Sequence, residues 1–370
     1  MAKQGPRVDH STLTDVAAAA GVSRATAARA LGGYGSVSDD ARALVVDAAA
    51  RLGYRPNTLA RSMITGTTQT IGVVVADIEL SFFARAVRGI VDAAKAQGFE
   101  VILANSDEDL AMERAAIGVL LEKRVDGLIV APAAPHDASH LADLVRRGLP
   151  LVLLDRGAPG IPTDAVVVDN VRAAHNAVSH LVRLGHRRIA IVSENAAGLT
   201  VSQLADASFG PGDRMTSVLR LSGWASALRS GGLPLSEDLL LAAPYSREGA
   251  RAATAAALAA DDPPTAIFTV DETTTLGAVD AIMAAGRRMP DEISLVAFDD
   301  VQWSTLVRPP LTVVAQPVYE LGMTATRLLL GRLAGDERPS ETVVLDTTFV
   351  LRGSTGPVPT AARRTNRAAR

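Results

Sequence analysis

The sequence predicts a small all-α helix-turn-helix headpiece joined to an α/β body of two lobes, each built on a doubly wound parallel sheet. Three observations carry this. Two helix starts stand within a dozen residues of each other near the N-terminus, with Gly21 between them. From Thr70 onward, short apolar runs alternate with stretches of helical length, the rhythm of βαβ units. After "AVVVDN" the rhythm restarts and supplies strands enough for two sheets. A chain of 370 residues, 48% of them apolar, exceeds what one core organises and has ample material for two or three.

In the headpiece, "STLTDVAAAAGVSRATAARALGG" begins with Thr12 before Leu13 and Asp15 three positions on, a variant of the capping box. Ser23 caps a second helix running through Leu31, and Gly21 occupies the sharp turn that needs positive φ. A third helix begins after Ser38, with Asp39 and Asp40 in its first turn, and stops at Gly53. In a helix-turn-helix the second helix presents its N-terminal residues to base edges in the major groove, here Arg24 and Ala25, with Arg29 a turn further on. Arginine donates two bonds to guanine, and alanine offers apolar contact to a thymine methyl. Ser23 and Thr26 are placed for phosphate, which fixes register without reading sequence. The competing reading is a plain helical hairpin with surface arginines.

Charge fits the first reading. Through Gly66 there are eight basic residues (Lys3, Arg7, Arg24, Arg29, Arg42, Arg51, Arg55, Arg61) and five acidic ones (Asp9, Asp15, Asp39, Asp40, Asp47), a local +3 in a chain of net −3. With no cysteine, disulfides, thiolate metal sites and a cysteine nucleophile are excluded. The N-terminus lacks the apolar run of a secretion signal and no stretch is long enough to span a bilayer, so a cytoplasmic protein without membrane contact is expected. The C-terminal "AARRTNRAAR" reads as a solvated, disordered basic tail over 356–370.

In the body, "TIGVVVAD", "FEVILAN", "VDGLIVAP" and "LPLVLLD" alternate with helices, and the second series holds "RRIAIVS", "DLLLAA", "TAIFTV", "EISLVAF" and "LTVVAQ". Ligands of open α/β sheets bind beyond the carboxyl ends of strands. Those positions hold Asp77, Asn105, Asp155, Asp271, Glu272, Asp299, Asp300 and Gln316, which points to a polar small-molecule cleft between the lobes. The bland reading is that each acid caps the helix that follows. No catalytic, metal or cofactor constellation emerges: His136 and His140 lack a carboxylate at helical spacing, and "FGPGDRM" lacks the lysine of a phosphate loop. An enzyme is not expected.

Together these stretches resemble the lactose repressor (LacI/GalR) family of bacterial transcription regulators. The likeness runs from about Leu13 to Arg352 through "TLTDVAAAAGVSRATAARAL", "RPNTLARSM", "TIGVVVADIELSFFARAVRGI", "KRVDGLIV", "LGHRRIAIV", "RLSGW", "ISLVAFDD" and "PPLTVVAQPVYELG". It implies a periplasmic-binding-protein-like body and a homodimer whose headpieces read a near-palindromic operator in double-stranded DNA. A small effector, a sugar or related polyhydroxylated metabolite, then sets operator affinity, most simply for repression. By position, Phe82 and Phe83 match the aromatic pair of the family cleft, and Arg220 and Asp299 match effector contacts. Arg214 and Thr216 lie where purine-type members touch ligand, with Asp155 and Gln316 near the cleft. Asp271 and Glu272 depart from the family's Asn-Asp and add negative charge. In "RPNTLARSMITG", Pro56 and Asn57 start a two-turn helix too short to be stable alone. The resemblance makes it a hinge helix that folds on the minor groove, with Asn57 and Arg61 at the DNA and Met63 as the apolar wedge.

The expected domains are a headpiece over 1–55, a hinge and linker over 56–68, and an effector and dimerisation body over 69–355. Within the body, one lobe takes about 69–166 plus 299–317 and the other about 167–298 plus 318–355. A solute-binding protein is the alternative of similar fold, as is a sugar- or nucleotide-metabolising enzyme; the first lacks a headpiece, and the second needs a catalytic constellation.

Overall fold

The computed structural model describes residues 11–32, 34–54, 66–194, 200, 203–204, 212 and 214–358. The chain divides into two compact units, Met1–Gln69 and Thr70–Arg370. In the first, Thr12 and Asp15 form the expected capping box at the head of α1 (Leu13–Ala19), the Asp15 carboxylate accepting from the Thr12 N–H at 2.7 Å. Gly21 turns the chain at φ +67, and Ser23 Oγ accepts from Thr26 N at 3.0 Å to start α2 (Arg24–Gly32). Ser38 starts α3 (Asp39–Arg51), which ends at Leu52 just before Gly53. Val16, Ala17, Ala27, Ala30, Val45 and Ala48 close a small core among the three helices. Arg42 reaches from α3 to the Ala30 carbonyl at 3.2 Å, satisfying one of the open acceptors at the end of α2. The hinge stretch 55–65, with Asn57, Arg61 and Met63, lies outside the described residues, as do Gly33 and the tail from 359.

The second unit opens with β1 (Thr70–Val75), α4 (Ser81–Ala96), β2 (Glu100–Asn105), α5 (Leu110–Glu122), β3 (Gly127–Val130), α6 (Ser139–Arg146), β4 (Leu151–Leu154) and β5 (Asp164–Val168). There follow α7 (Asn170–Arg183), β6 (Ile189–Ser193), α8 (Thr216–Ser230), β7 (Leu240–Ala242), α9 (Arg247–Ala259), β8 (Ala266–Thr269), α10 (Glu272–Ala284), β9 (Ser294–Phe298) and β10 (Thr312–Ala315). The chain finishes with α11 (Val318–Leu333), β11 (Thr342–Leu345) and β12 (Thr348–Val350). Two six-stranded sheets result, ordered β11-β5-β4-β3-β1-β2 and β12-β10-β9-β8-β6-β7. Every pairing is parallel except β10 with β12. The two orders are the same pattern used twice, and in each the strand order reverses at the first strand of the lobe, where open sheets leave a crevice.

The expected lobe boundaries need correction. β5 belongs whole to the first sheet and β9, as expected, to the second, but β10, expected on the first lobe, also belongs to the second. α11, expected on the second lobe, packs against α4 and against β3, β4 and β5 of the first, and β11 adds the outer strand of that same sheet. Lobe one is therefore about 70–168 plus 318–345, lobe two about 170–315 plus 348–358, and the chain crosses three times. The physical cause is burial: Leu321, Ala325 and Leu329 of α11 are fully buried, in one core with Ile90 and Ala94 of α4 and Val152 and Leu154 of β4. Each such leucine contributes about 1.5–3 kcal/mol by leaving water. Contact between α11 and α4 is close enough that a Cβ at Gly322 would land on the Ala86 carbonyl, and one at Gly89 on that of Tyr319.

Candidate functional site

A cavity of about 520 Å³ lies between the two lobes, within the range of small-molecule sites. Its lining follows strand ends: Phe82 and Phe83 after β1, Glu108 after β2, 133–137 after β3, Asp155 and Arg156 after β4, Glu194 after β6, Tyr245 after β7, Asp271 after β8, Asp299 after β9 and Gln316 after β10. The first turn and a half of α8, with Thr216, Ser217 and Arg220, completes it.

Asp155 and Asp299 end equivalent strands of the two lobes, and both take the left-handed backbone, φ +67 and +78. Aspartate tolerates that region better than most side chains. Each backbone N–H still bonds the next strand, Asp155 to Val166 O and Asp299 to Val314 O, both at 2.9 Å, so the turn redirects the side chain without breaking the sheet edge. Burial pushes the Asp155 carboxyl up to about 6, against the pull of Arg156 and Arg220. Asp299 is raised by the same desolvation, opposed by Arg220 and by the bond it accepts from Gln316 Nε2 at 2.6 Å. Asp271 is pushed up to about 7, by burial first and by the Glu194 charge second. It also caps α10, accepting from Thr274 N at 2.7 Å, so the capping and cleft readings of this residue are both true.

One guanidinium is locked among these acids. Arg220 is 4% exposed, donates Nε to Asn170 Oδ1 at 2.8 Å and Nη1 to the Val270 carbonyl, and lies 3.6 Å above the centre of the Phe298 ring. Arg156 is held by Glu108 through two bonds of 2.6 and 2.7 Å. Burial opposes its charge, and Glu108 and Asp155 overcome that and hold its pKa above the ordinary arginine value. Gln316 donates its amide nitrogen to Asp299 while its Oε1, shielded from solvent, accepts no hydrogen bond among the described residues. A ligand hydroxyl or amine is the kind of donor it lacks. Phe82 and Phe83 stand edge to face at 5.1 Å; Phe83 is core as well as cavity wall.

Of the expected effector residues, Phe82, Phe83, Asp155, Thr216, Arg220, Asp271, Asp299 and Gln316 all line the cavity. Arg214 does not; its guanidinium contacts the imidazole of His136, which does. The other strand-end acids are used elsewhere. Asp77 accepts from Glu79 N at 2.8 Å, Asn105 from Ile78 N at 3.3 Å, and Asp300 pairs with Arg352 at 2.7 Å. Glu272 bridges the lobes, accepting from Ser81 N at 3.3 Å and from the Trp303 indole at 3.0 Å. Arg156, Glu194, Glu108 and Tyr245 were missed; Glu194 directly follows β6 and Arg156 stands second after β4, so both obey the rule that found Asp155. His140 is largely buried and bonds Glu113 at 2.6 Å, and Glu113 in turn holds the Ala133 N–H of the cavity wall at 2.6 Å.

On the headpiece, Ser23, Arg24, Ala25 and Arg29 are exposed on α2, Thr26 is half-buried, and Ala27 and Ala30 face the core. The Ser23 and Thr26 hydroxyls bond each other at 2.8 Å. No helix among the described residues is long and apolar enough to cross a membrane.

A helix-turn-helix unit followed by a two-lobed body with a polar cavity between its sheets is the build of a ligand-responsive transcription regulator. Residues 12–57 match the model of bacterial regulatory proteins of the lacI family, and 68–350 that of periplasmic binding proteins and the sugar-binding domain of the LacI family. The transcriptional regulator DegA of Bacillus subtilis is 31% identical over 352 residues, 95% of this chain and 99% of its own. Among solved structures, the lac repressor dimer bound to operator and an anti-inducer superposes with a TM-score of 0.79 at 27% identity, covering 94% of this chain and 100% of that one. A ribose-bound LacI-family regulator from Enterococcus faecium does so with 0.67 at 32% identity, covering 78% and 99%. The chain belongs to the LacI family: it is a DNA-binding transcriptional regulator with a sugar-binding effector domain.

Proposed function

We propose that the chain is a repressor that binds a near-palindromic operator as a homodimer and changes its grip when a sugar or related polyhydroxylated molecule fills the cavity. The observation that carries this reading is the convergence of Asp155 from one lobe, Asp271, Asp299 and Arg220 from the other, and Gln316 from a crossover on one cavity. Carboxylates, a fixed guanidinium and an amide oxygen lacking a donor suit a molecule with several hydroxyls. The ribose held by the Enterococcus faecium relative supports the sugar class. A ligand touching both lobes favours one hinge angle over another, and its effect on DNA equals its differential affinity for the two.

At the operator, Arg24, Ala25 and Arg29 read base edges, while Ser23 and Thr26 meet phosphates. Asn57, Arg61 and the Met63 wedge engage the minor groove. The test is a thermal-shift screen of sugars and nucleosides, followed by operator binding with and without each hit. A stabilising sugar should change operator affinity at least about fivefold; hits that leave it untouched would refute the coupling.

A further inference from the structure

The cavity carries more negative charge than a neutral sugar needs. Its lining holds six carboxylates, Glu108, Asp137, Asp155, Glu194, Asp271 and Asp299, against the guanidinium groups of Arg156 and Arg220 and one imidazole. Asp137 pairs with Arg114, outside the lining, at 3.3 Å, which leaves five carboxylates facing two guanidinium groups. Arg156 is committed to Glu108 by two hydrogen bonds. Arg220 is left to face Asp155, Asp271 and Asp299 together. Asp155 is 4% exposed and its carboxylate accepts no hydrogen bond among the described residues; its ion-pair neighbour, Arg156 Nε, lies at 3.5 Å. Asp271 stands within the field of Glu194.

We propose that the effector of this chain is a polyhydroxylated molecule bearing a cationic amine, an amino sugar or amino polyol, with the ammonium seated at Asp271 beside Glu194. An ammonium donates three hydrogen bonds and accepts none, matching a wall of acceptors. It also offsets the desolvation penalty of carboxylates held largely out of water. Tyr245 lines the same cavity, its hydroxyl held protonated by burial and by the Asp271 charge. The hydroxyls of the ligand fall to Arg220, Asp299 and the open Gln316 Oε1. The inference rests on the sugar-binding reading above and adds the charge.

Calorimetric titration of the full chain with matched pairs tests it: glucosamine with glucose, galactosamine with galactose, and 1-amino-1-deoxyribitol with ribitol, with ribose as a further neutral probe. One amino compound should bind about tenfold or more tighter than its hydroxyl partner. In Asp271→Asn, that ratio should fall toward one, and in Glu194→Gln it should fall part of the way. Asparagine caps a helix as well as aspartate, so Asp271→Asn keeps the start of α10. Tight binding of a neutral probe with no preference for its amine partner overturns the amine assignment and leaves the sugar reading standing. Binding of none of the probes overturns both. A preference for the amine that survives Asp271→Asn undiminished overturns the seat at Asp271.

Discussion

Asp155→Asn is expected to make the protein more stable while weakening its effector site. The carboxyl of Asp155 titrates at about 6 in the folded chain, against an ordinary 3.8. Between those values the folded state holds a proton that the unfolded state has released, so stability falls as pH rises, and above about 6 the full cost stands. At about 1.4 kcal/mol per pKa unit, the displacement amounts to roughly 3 kcal/mol at pH 8 and about half of that at pH 5. Asparagine has the same shape, tolerates the left-handed backbone and carries no charge to bury. Urea unfolding of wild type and variant at pH 8 and pH 5 measures the difference. Trp224 and Trp303 both lie in the second unit, so tryptophan fluorescence follows that unit alone. A variant no more stable than wild type at pH 8, or a gain that does not shrink at pH 5, would falsify the reasoning.

Three further outcomes follow from the packing and from the DNA-reading roles. Gly322→Ala should cost about 1–3 kcal/mol, since the new methyl meets the Ala86 backbone where α4 and α11 touch; an unchanged urea midpoint would contradict that contact. Arg24→Ala should cost about 1–3 kcal/mol at one operator position and relax base preference there, as read by binding selection from a random pool. Uniform weakening across all sequences would instead make Arg24 a phosphate contact. Met63→Ala should weaken operator binding and leave effector affinity as it was, and equal operator affinity would remove the wedge.

Helices were legible because their ends are written in side chains. Ser38 and Asp271 each cap where a polar residue precedes an apolar period, and α3 starts directly after Ser38 and stops just before Gly53, as expected. Lobe membership was not legible. Periodicity says that α11 has an apolar face and not which sheet will cover it, and β11 and β12 are edge strands of four and three residues with exposed positions. The cavity was half legible for a related reason. Asp155, Asp271, Asp299 and Gln316 follow strands whose apolar runs are plain, whereas Glu108 and Tyr245 sit inside loops, and only the fold brings them to the same wall. Asp77 and Asp300 obey the strand-end rule and still miss the cavity, because a backbone amide and Arg352 claim them.

The three crossovers also govern how the protein is made. A chain emerging from the ribosome can close its helical headpiece almost at once, since that core draws only on residues between Leu13 and Tyr54. The first lobe has no such independence: it waits for α11 and β11, which are synthesised after the second lobe is nearly complete. Over most of its synthesis the nascent regulator therefore carries a finished DNA-reading head and an unfinished sensor. A message cut short anywhere between β5 and α11 leaves that head without the helix and sheet edge that complete its first lobe.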